Sequence, residues 1–456
     1  MEFIQKLSIG DIVFLVVAIG IAEAVGFVFL IRYIAVVFVF LIRYIKKPLK
    51  KLIEAYREQG AVFVISKLRE KGNVFFIKHG YKNVEAGKQY SKKVINFNLF
   101  SKRLDIYEEY ESSFVTIAFY PTGGMGDYII SAKILEEIQA CCNCQIDVFV
   151  EKKVFGEAIY GGRKKVKVVS AEDFYIEAIK YDLAVLVEHF VHIIGKKDDR
   201  LLQFAPNLYD KVKYIENNWN KLYVDISEQC WRERIQFERC KVLGLNRWTE
   251  LRMGKAFNVE NMRVTIPFNS LYKKDFMAVK FYGTRYVTIN YGADAMKIGF
   301  KQLKLWPKEH IEAFVKSFKQ RFENVNVIQL GGADAEKLAG IDFYVLGESI
   351  ELTKYILRDS LCHVDCEGGL VHLATQLGTK CVVVFGPTPV HMYGYPQNVN
   401  LYSDKCNNCM GLHEDWAYTC YRGDGAPCMK EIDSDTVLKS VENVIYDDKE
   451  RSEDVV

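Results

Sequence analysis

From residue 113 onward, apolar runs alternate with glycine turns and amphipathic helical patterns. An apolar run at 115–120 is followed by the loop PTGGMGD and a helical pattern at 128–139. A second run at 361–364 leads to Gly368 and Gly369, a helical pattern to Leu377, and another apolar run at 380–385. Continuous apolar runs are typical of buried parallel strands, and glycine allows the tight turn between strand and helix. Each unit therefore predicts a turn at which helix N–H groups can bind phosphate.

Further elements extend both units into α/β series. The pattern predicts strands at 145–150, 165–170, 182–188, 286–293, 324–330 and 342–346, and helices at 308–322, 351–359 and 434–445. Residues 200–280 are rich in Trp, Tyr, Arg and Asn and show no clear period, so they are expected to close the first half and supply a substrate wall. Two doubly wound halves imply an α/β protein with a cleft between them.

The first 47 residues have a different character. Residues 12–45 are apolar except for Glu23, Arg32 and Arg43, and they contain a tandem repeat of eleven residues, VGFVFLIRYIA followed by VVFVFLIRYIK. The window 12–31 alone has the length needed to span a bilayer. We expect residues 1–47 to form a membrane anchor helix, with an interfacial or buried helix as the alternative.

A basic region, 48–112, follows the predicted anchor. Between Arg43 and Arg103 there are 16 Lys or Arg against four Glu, a local net charge of +12. Beside a membrane segment this predicts a surface-bound region and a location at the cytoplasmic membrane, with the folded domains on the cytoplasmic side. Solvated helix faces are the alternative, and no nucleic-acid-binding motif accompanies the charge. The last residues, 447–456, are acidic and are expected to form a tail.

Composition indicates a folded protein, with 50% apolar and 26% charged residues. Of the twelve cysteines, eight are scattered, which suits thiols in a reducing compartment. The other four, Cys406, Cys409, Cys420 and Cys428, fall within 23 residues. Four clustered thiolates are typical ligands for structural zinc or iron, and two disulfides or four free thiols are the alternatives.

The paired motifs FYPTGGMGDYIISAKIL and EGGLVHLATQLGTKCVVVFGPT, with KLWP between them, resemble those of the family 9 glycosyltransferases. This resemblance implies a GT-B fold, with an N-terminal Rossmann-like acceptor domain at 113–280 and a C-terminal Rossmann-like donor domain at 281–446, the latter including the cysteine loop 406–428. It also implies an inverting enzyme. Such an enzyme moves a sugar from a nucleotide-diphosphate sugar, usually ADP-heptose, to a hydroxyl of a lipopolysaccharide-type glycan, a lipid-linked glycan or a protein.

The resemblance assigns roles to individual residues. Asp127 matches the proposed catalytic base, and Lys304 matches the lysine of the Lys-x-Trp-Pro motif. The substrate-binding positions are Gly123, Gly124, Gly126, Glu336, Glu367, Gly368, Gly369, His372 and Thr388. Glu367 is a departure, because the family has Asp at this position, and it suggests a donor other than the usual heptose.

The chemistry of these residues is consistent with sugar transfer even without the resemblance. A carboxylate such as Asp127 can take the proton of the acceptor hydroxyl, while Lys304 and a helix N-terminus stabilise the departing diphosphate. The alternatives are a helix cap for Asp127 and a core histidine for His372. No Asp-x-Asp element accompanies these sites, so no catalytic metal is expected. A catalytically silent GT-B scaffold and a GT-B epimerase are the competing functions.

Overall fold

The computed structural model describes residues 114–224, 230–292, 302–406, 408–423 and 425–453, all of which belong to one unit of the chain. The predicted anchor, 1–47, and the predicted basic region, 48–112, lie outside the described residues, so both stay predictions. Within the described ranges, no helix is long and apolar enough to cross a bilayer.

The first half is built on a five-stranded sheet. Its strands are β1 (Val115–Pro121), β2 (Cys144–Val150), β3 (Val166–Ser170), β4 (Leu183–Val187) and β5 (Val191–Lys196). They lie in the order β3-β2-β1-β4-β5, with β1 to β4 parallel and β5 antiparallel to β4. The central strand β1 is buried along nearly its whole length, as expected for a parallel strand covered on both faces.

Seven helices accompany this sheet in the described part of the half. They are α1 (Met125–Cys141), α2 (Lys153–Tyr160), α3 (Phe174–Glu177), α4 (Asp198–Phe204), α5 (Pro206–Leu222), α6 (Cys230–Val242) and α7 (Tyr272–Met277). Helix α1 connects β1 to β2, and isoleucine is the most frequent of its buried residues. Proline begins α5, where its missing N–H costs no helical hydrogen bond.

The second half contains a fully parallel, six-stranded sheet. Its strands are β6 (Tyr286–Asn290), β7 (Asn326–Gly331), β8 (Phe343–Leu346), β9 (His363–Cys366), β10 (Cys381–Val384) and β11 (Val399–Leu401). The order is β11-β10-β9-β6-β7-β8, so the direction of winding reverses between β6 and β9. Ligands of open α/β sheets bind at the carboxyl edge beside such a reversal.

Six helices complete this half among the described residues. They are α8 (Lys308–Arg321), α9 (Ile350–Arg358), α10 (Gly369–Gln376), α11 (Val390–Tyr393), α12 (Pro427–Lys430) and α13 (Ser434–Glu453). Gly378, with φ of +94°, follows α10 and lets the chain turn into β10. Helix α13 continues through Glu453, into the segment for which the sequence predicted an acidic tail.

The two halves pack on each other through α1 and α10, and one apolar core cluster contains residues of both. A buried lysine, Lys354 of α9, adds a polar connection. Its Nζ donates to the carbonyl oxygens of Ala158 at 2.9 Å and Pro267 at 2.6 Å, and pairs with Glu351 at 2.7 Å. These bonds satisfy a charge that is otherwise costly to bury.

The apolar pattern predicted the main strands and helices of both sheets, and the structure confirms them with small shifts at their ends. It did not predict β5, β11 or helices α2 to α7, α11 and α12. The parallel α/β architecture with two sheets is as expected for a GT-B protein.

Candidate active site

The carboxylate of Asp127 lies in the first turn of α1, at the edge where β1 ends. Its Oδ2 accepts a hydrogen bond from the Gly124 N–H at 3.0 Å. Position 123 requires glycine, because its φ is +95° and a Cβ there would lie 2.4 Å from Asp127 Oδ2. The Asp127 side chain is still 36% exposed. It therefore closes the helix turn and also leaves carboxylate surface for a ligand.

Arg247 binds the second oxygen of Asp127. Its Nη2 donates to Asp127 Oδ1 at 3.1 Å and to the Glu188 carbonyl at 3.0 Å, and its Nη1 donates to Glu250 Oε1 at 3.0 Å. Burial alone would raise the pKa of Asp127, but the Arg247 charge and the Gly124 N–H outweigh it and hold that pKa below its ordinary value. Asp127 is thus ionised at neutral pH.

A buried polar network continues behind Arg247. His189 Nδ1 lies 2.7 Å from Glu250 Oε1, and His189 Nε2 lies 3.8 Å from Glu233 Oε1. The Gln236 amide donates to Glu250 Oε2 at 3.0 Å. Burial raises the pKa of Glu233 despite the opposing effect of His189. The network therefore contains more carboxyl groups than cations.

The second half contributes Glu367, the residue that follows β9. Lys304 Nζ donates to Glu367 Oε2 at 2.6 Å, and His372 Nε2 lies 3.8 Å from Oε1. Burial would raise the pKa of Glu367, but Lys304 and then His372 lower it to about 2. The pair is therefore ionic, and the bond to Glu367 uses one of the three donors of the Lys304 ammonium.

Asp365, two residues before Glu367, is confined to the sheet interior. It lies within β9, where the Asn290 amide donates to both of its oxygens at 3.0 and 3.1 Å and the Cys366 N–H donates at 2.7 Å. Burial raises its pKa. Asp365 therefore lies inside β9, whereas Glu367 follows the last residue of the strand and lies at the carboxyl edge.

The glycine turns of the two halves meet directly. A Cβ on Gly126 would lie 2.6 Å from His372 Cδ2, and a Cβ on Gly369 would lie 2.9 Å from Met125 Cε. Only glycine allows backbones to approach this closely. The N-termini of α1 and α10 therefore adjoin, which brings Asp127 and the Glu367 cluster into one site. Gly368, in extended backbone, precedes α10.

The imidazole of His372 has a positional role in this contact. It is 5% exposed, and its Nδ1 lies 2.7 Å from the Tyr395 hydroxyl. The ring packs against Gly126 on the other half. His372 is therefore buried and hydrogen-bonded like a core histidine, which was the alternative prediction for it. It also adjoins Glu367.

Thr388 and Tyr393 follow β10, at the carboxyl end of that strand. Thr388 is 2% exposed, and its hydroxyl has no hydrogen-bond partner among the described residues. Burial raises the pKa of Tyr393 well above its ordinary value, reinforced by the charges of Glu233, Asp127 and Glu367. Tyr393 therefore lies within electrostatic range of the acids of both halves.

Glu336 has a different environment from the other predicted donor-binding residues. It follows β7, its side chain is 58% exposed, and it pairs with Lys308 in the first turn of α8. It lies beyond the carboxyl end of β7, on the same sheet edge as Glu367.

The cysteine loop packs on the stretch that carries Thr388. The Asn408 N–H donates to the Gly386 carbonyl at 3.0 Å, and the Met410 N–H donates to the Pro387 carbonyl at 2.9 Å. A Cβ on Gly386 would lie 3.4 Å from Cys428 Sγ. The loop thereby fixes one wall of the site.

The four thiols of this loop fit a metal in residue type but not in distance. Burial, followed by the nearby Cys406 and Cys409, raises the pKa of Cys428 to about 12. Yet no three His, Cys, Asp or Glu side chains in the described ranges are close enough together to hold an ion. We therefore assign no chemistry to a metal here.

Sequence analysis missed Arg247, Glu250, Glu233 and Tyr393. It also missed Glu188 and His189, although these two had a usable signal, because they lie at the end of the predicted strand 182–188 and so at the carboxyl edge of the sheet. The others come from the aperiodic region 200–280 or from the short helix α11. They reach the site through tertiary packing alone.

The fold and site define a two-half α/β protein of GT-B type. Asp127 of one half and Glu367 of the other lie where the carboxyl edges of the two sheets adjoin. No protein-family model matches the chain, and no curated protein matches it in sequence. Its shape is similar to that of several solved structures. One is the ADP-heptose LPS heptosyltransferase II of Escherichia coli, at 12% identity, 73% coverage of this chain, 99% of the other, and a TM-score of 0.47.

Two further similar structures are the family 9 glycosyltransferase of Veillonella parvula and the iron-containing dodecameric glycosyltransferase TibC of enterotoxigenic E. coli. The first has 11% identity, covers 73% of this chain and 97% of its own, and has a TM-score of 0.47. The second has 13% identity, 72% and 78% coverage, and a TM-score of 0.49. The structures that this chain resembles thus include members of the family suggested by its motifs.

Proposed function

We propose that the protein is an inverting glycosyltransferase that uses a nucleotide-diphosphate sugar. The observation that carries the proposal is the contact of the two glycine turns, because it places an ionised Asp127 opposite the Lys304–Glu367 pair. Sugar transfer to a hydroxyl requires a base for the hydroxyl proton and a cation for the departing diphosphate, on opposite sides of one site.

In the proposed reaction, the acceptor hydroxyl oxygen attacks the anomeric carbon of the donor while Asp127 takes the hydroxyl proton. The bond from that carbon to the diphosphate oxygen breaks, and the nucleoside diphosphate leaves with the electron pair. Lys304 and the N–H groups at the start of α10 stabilise its negative charge. The Thr388 hydroxyl, buried without a partner among the described residues, is available to bind a donor oxygen.

Glu367 would contribute mainly by orienting Lys304. Its carboxylate is already bonded to that ammonium, so a donor hydroxyl would meet only its remaining lone pairs. Replacement of the family's Asp by a longer Glu therefore fits a donor related to heptose rather than heptose itself. Glycan, lipid-linked and protein acceptors all stay open.

A screen of nucleotide sugars against the purified chain tests this proposal. The true donor should raise the melting temperature by mass action and, with its acceptor, release nucleoside diphosphate. The matching nucleotide without a sugar serves as the control. Stabilisation by a donor without any transfer would favour the silent scaffold, and a change in the free sugar's configuration would favour the epimerase.

We also propose, from the sequence of residues 1–112, that the enzyme acts at the cytoplasmic face of the cytoplasmic membrane. The apolar segment 12–45 would anchor it, and the net charge of +12 that follows would bind anionic lipid. We also propose a structural zinc or iron at Cys406, Cys409, Cys420 and Cys428, and the spacing of these four thiols in the sequence is what supports it.

A further inference from the structure

We propose that Arg247 is a positioning residue for the transfer reaction: it fixes the Asp127 carboxylate in one orientation, keeps it ionised, and is itself held in place by the second half. This inference rests on the proposed function and extends it to a residue outside both sequence motifs. Arg247 does not have to touch substrate for this role, because it acts through Asp127.

The guanidinium has a fixed geometry. It is buried, and three acceptors bind its two terminal nitrogens: Asp127 Oδ1, the Glu188 carbonyl and Glu250 Oε1, at 3.0 to 3.1 Å. A planar guanidinium bound on two sides cannot rotate without losing hydrogen bonds. The orientation of Asp127 is therefore set by its bonds to Arg247 and to the Gly124 N–H.

The main chain of Arg247 is bound by the opposite half. Its N–H donates to the Met392 carbonyl at 3.0 Å. The neighbouring Trp248 packs edge-on against Tyr395, with ring centroids 6.1 Å apart, and Tyr395 binds His372. Residues 389–395 of the donor half thus support the arginine that holds the base of the acceptor half.

The charge balance explains why an arginine is needed. The titratable side chains that interact electrostatically with Asp127 or Arg247 come from several surrounding elements, and His372 adjoins them at Gly126. They are Tyr128, Tyr160, Glu188, His189, Glu233, Cys240, Glu250 and Tyr393. Among these groups Arg247 is the permanent cation. Without it, the burial that already opposes ionisation of Asp127 would dominate.

The sign of the pH effect follows from this balance. Transfer requires the deprotonated carboxylate, and Arg247 holds the pKa of Asp127 below its ordinary value, so the acidic limb of kcat/KM in the wild type lies at low pH. Loss of the Arg247 charge raises the pKa of Asp127 and moves the acidic limb of kcat/KM to higher pH. An arginine beside an aspartate typically changes the pKa by about one to three units, so we expect a shift of about one pH unit or more.

The experiment compares Arg247→Gln and Arg247→Lys with Arg163→Gln. Arg163 is the matched control, because it is also largely buried and pairs with Glu136 at 2.9 Å, away from Asp127. Arg247→Gln should move the acidic limb upward, Arg247→Lys should move it less, and Arg163→Gln should leave it in place. Equal limbs in all four proteins, with lower stability in the variants, would show a purely structural arginine and overturn the proposal.

A second readout does not depend on activity. The Asp127 carboxyl can be titrated by ¹³C NMR in aspartate-labelled protein, with Asp127→Asn providing the assignment. An upward shift of this titration in Arg247→Gln, or in Arg247→Lys if the former does not fold, supports the inference, and an unchanged titration overturns it. If the titration shifts while the wild type transfers no sugar, the proposed function fails and the role of Arg247 in ionising Asp127 stands.

Discussion

The contact between Gly126 and His372 can be tested by adding a single methyl group. In Gly126→Ala the new Cβ would lie 2.6 Å from His372 Cδ2 and 3.0 Å from its Nε2. The ring cannot move away freely, because it is buried and its Nδ1 is bonded to the Tyr395 hydroxyl. Overpacking of this kind costs about 1 to 3 kcal/mol, whereas Ala in place of Gly gains about 1 kcal/mol in a helix. We expect a net loss of about 0 to 2 kcal/mol in the free energy of unfolding.

Gly195→Ala is the matched control for this variant. Gly195 lies in β5, and a Cβ there would meet no atom within 4 Å, so the substitution carries the gain in chain entropy without a clash. It should be neutral or stabilising by up to about 1 kcal/mol. Denaturant unfolding of both variants measures the difference directly. In a His372→Ala background, Gly126→Ala should lose its penalty.

Activity should follow the same contact. The methyl group pushes the two glycine turns apart and thereby moves Asp127 away from the donor half. A misplacement of about 1 Å costs on the order of 10²-fold in rate, so transfer should fall by about that factor in Gly126→Ala and stay normal in Gly195→Ala. If Gly126→Ala gained as much stability as Gly195→Ala and kept its rate, the two turns would not meet in solution.

Three further predictions follow from the same structure. Lys304→Ala should weaken both donor binding and rate, and it should remove a pH dependence of stability. Because the pKa of Glu367 is lowered to about 2, the Lys304–Glu367 pair stabilises the wild type above the ordinary Glu value near 4.5, and this contribution is lost as the pH falls towards 2. Thermal unfolding measured against pH detects the difference, with Lys308→Ala as the exposed control. Elemental analysis should find about one zinc or iron per chain, lost in Cys406→Ser/Cys409→Ser, and absence of metal from the wild type would leave the four thiols free. Deletion of residues 1–47 should release much of the protein from the membrane fraction, and carbonate-resistant retention of the truncated chain would instead assign binding to the basic region or to a partner.

Much of the fold could be predicted because parallel strands buried on both faces are continuous apolar runs. The run 115–120 and the run 380–385 each became a strand, β1 and β10, and the glycine turns beside them became helix starts. Helix α6 could not be found in the same way, because its buried face includes Gln236 and Phe237, which obscure the helical period. Helix α5 does have an apolar stripe at helical spacing, and that signal was missed: its buried residues are Leu208, Val212 and Ile215.

The site was predictable only where local geometry defines it. Asp127 and Glu367 could be placed because a residue just after a parallel strand or its turn lies at the carboxyl edge. The partners of these residues were not predictable: Arg247 is 120 positions from Asp127, and Lys304 is 63 positions from Glu367. Pairings over such sequence separations are decided by tertiary packing within each half, for which a single sequence has no local signal.

The central claim is that Asp127 acts as the base in sugar transfer, and the turnover of Asp127→Asn with the true donor and acceptor tests it most directly. Removal of a general base should lower kcat by about 10²- to 10⁴-fold while donor affinity stays within about tenfold of the wild type, because the base acts in the transition state and not in ground-state donor binding. Asn can accept only one of the hydrogen bonds now given by Gly124 and Arg247, so thermal unfolding must confirm that the variant is folded at the assay temperature. Near-normal turnover by folded Asp127→Asn would contradict the account and reduce Asp127 to a helix cap.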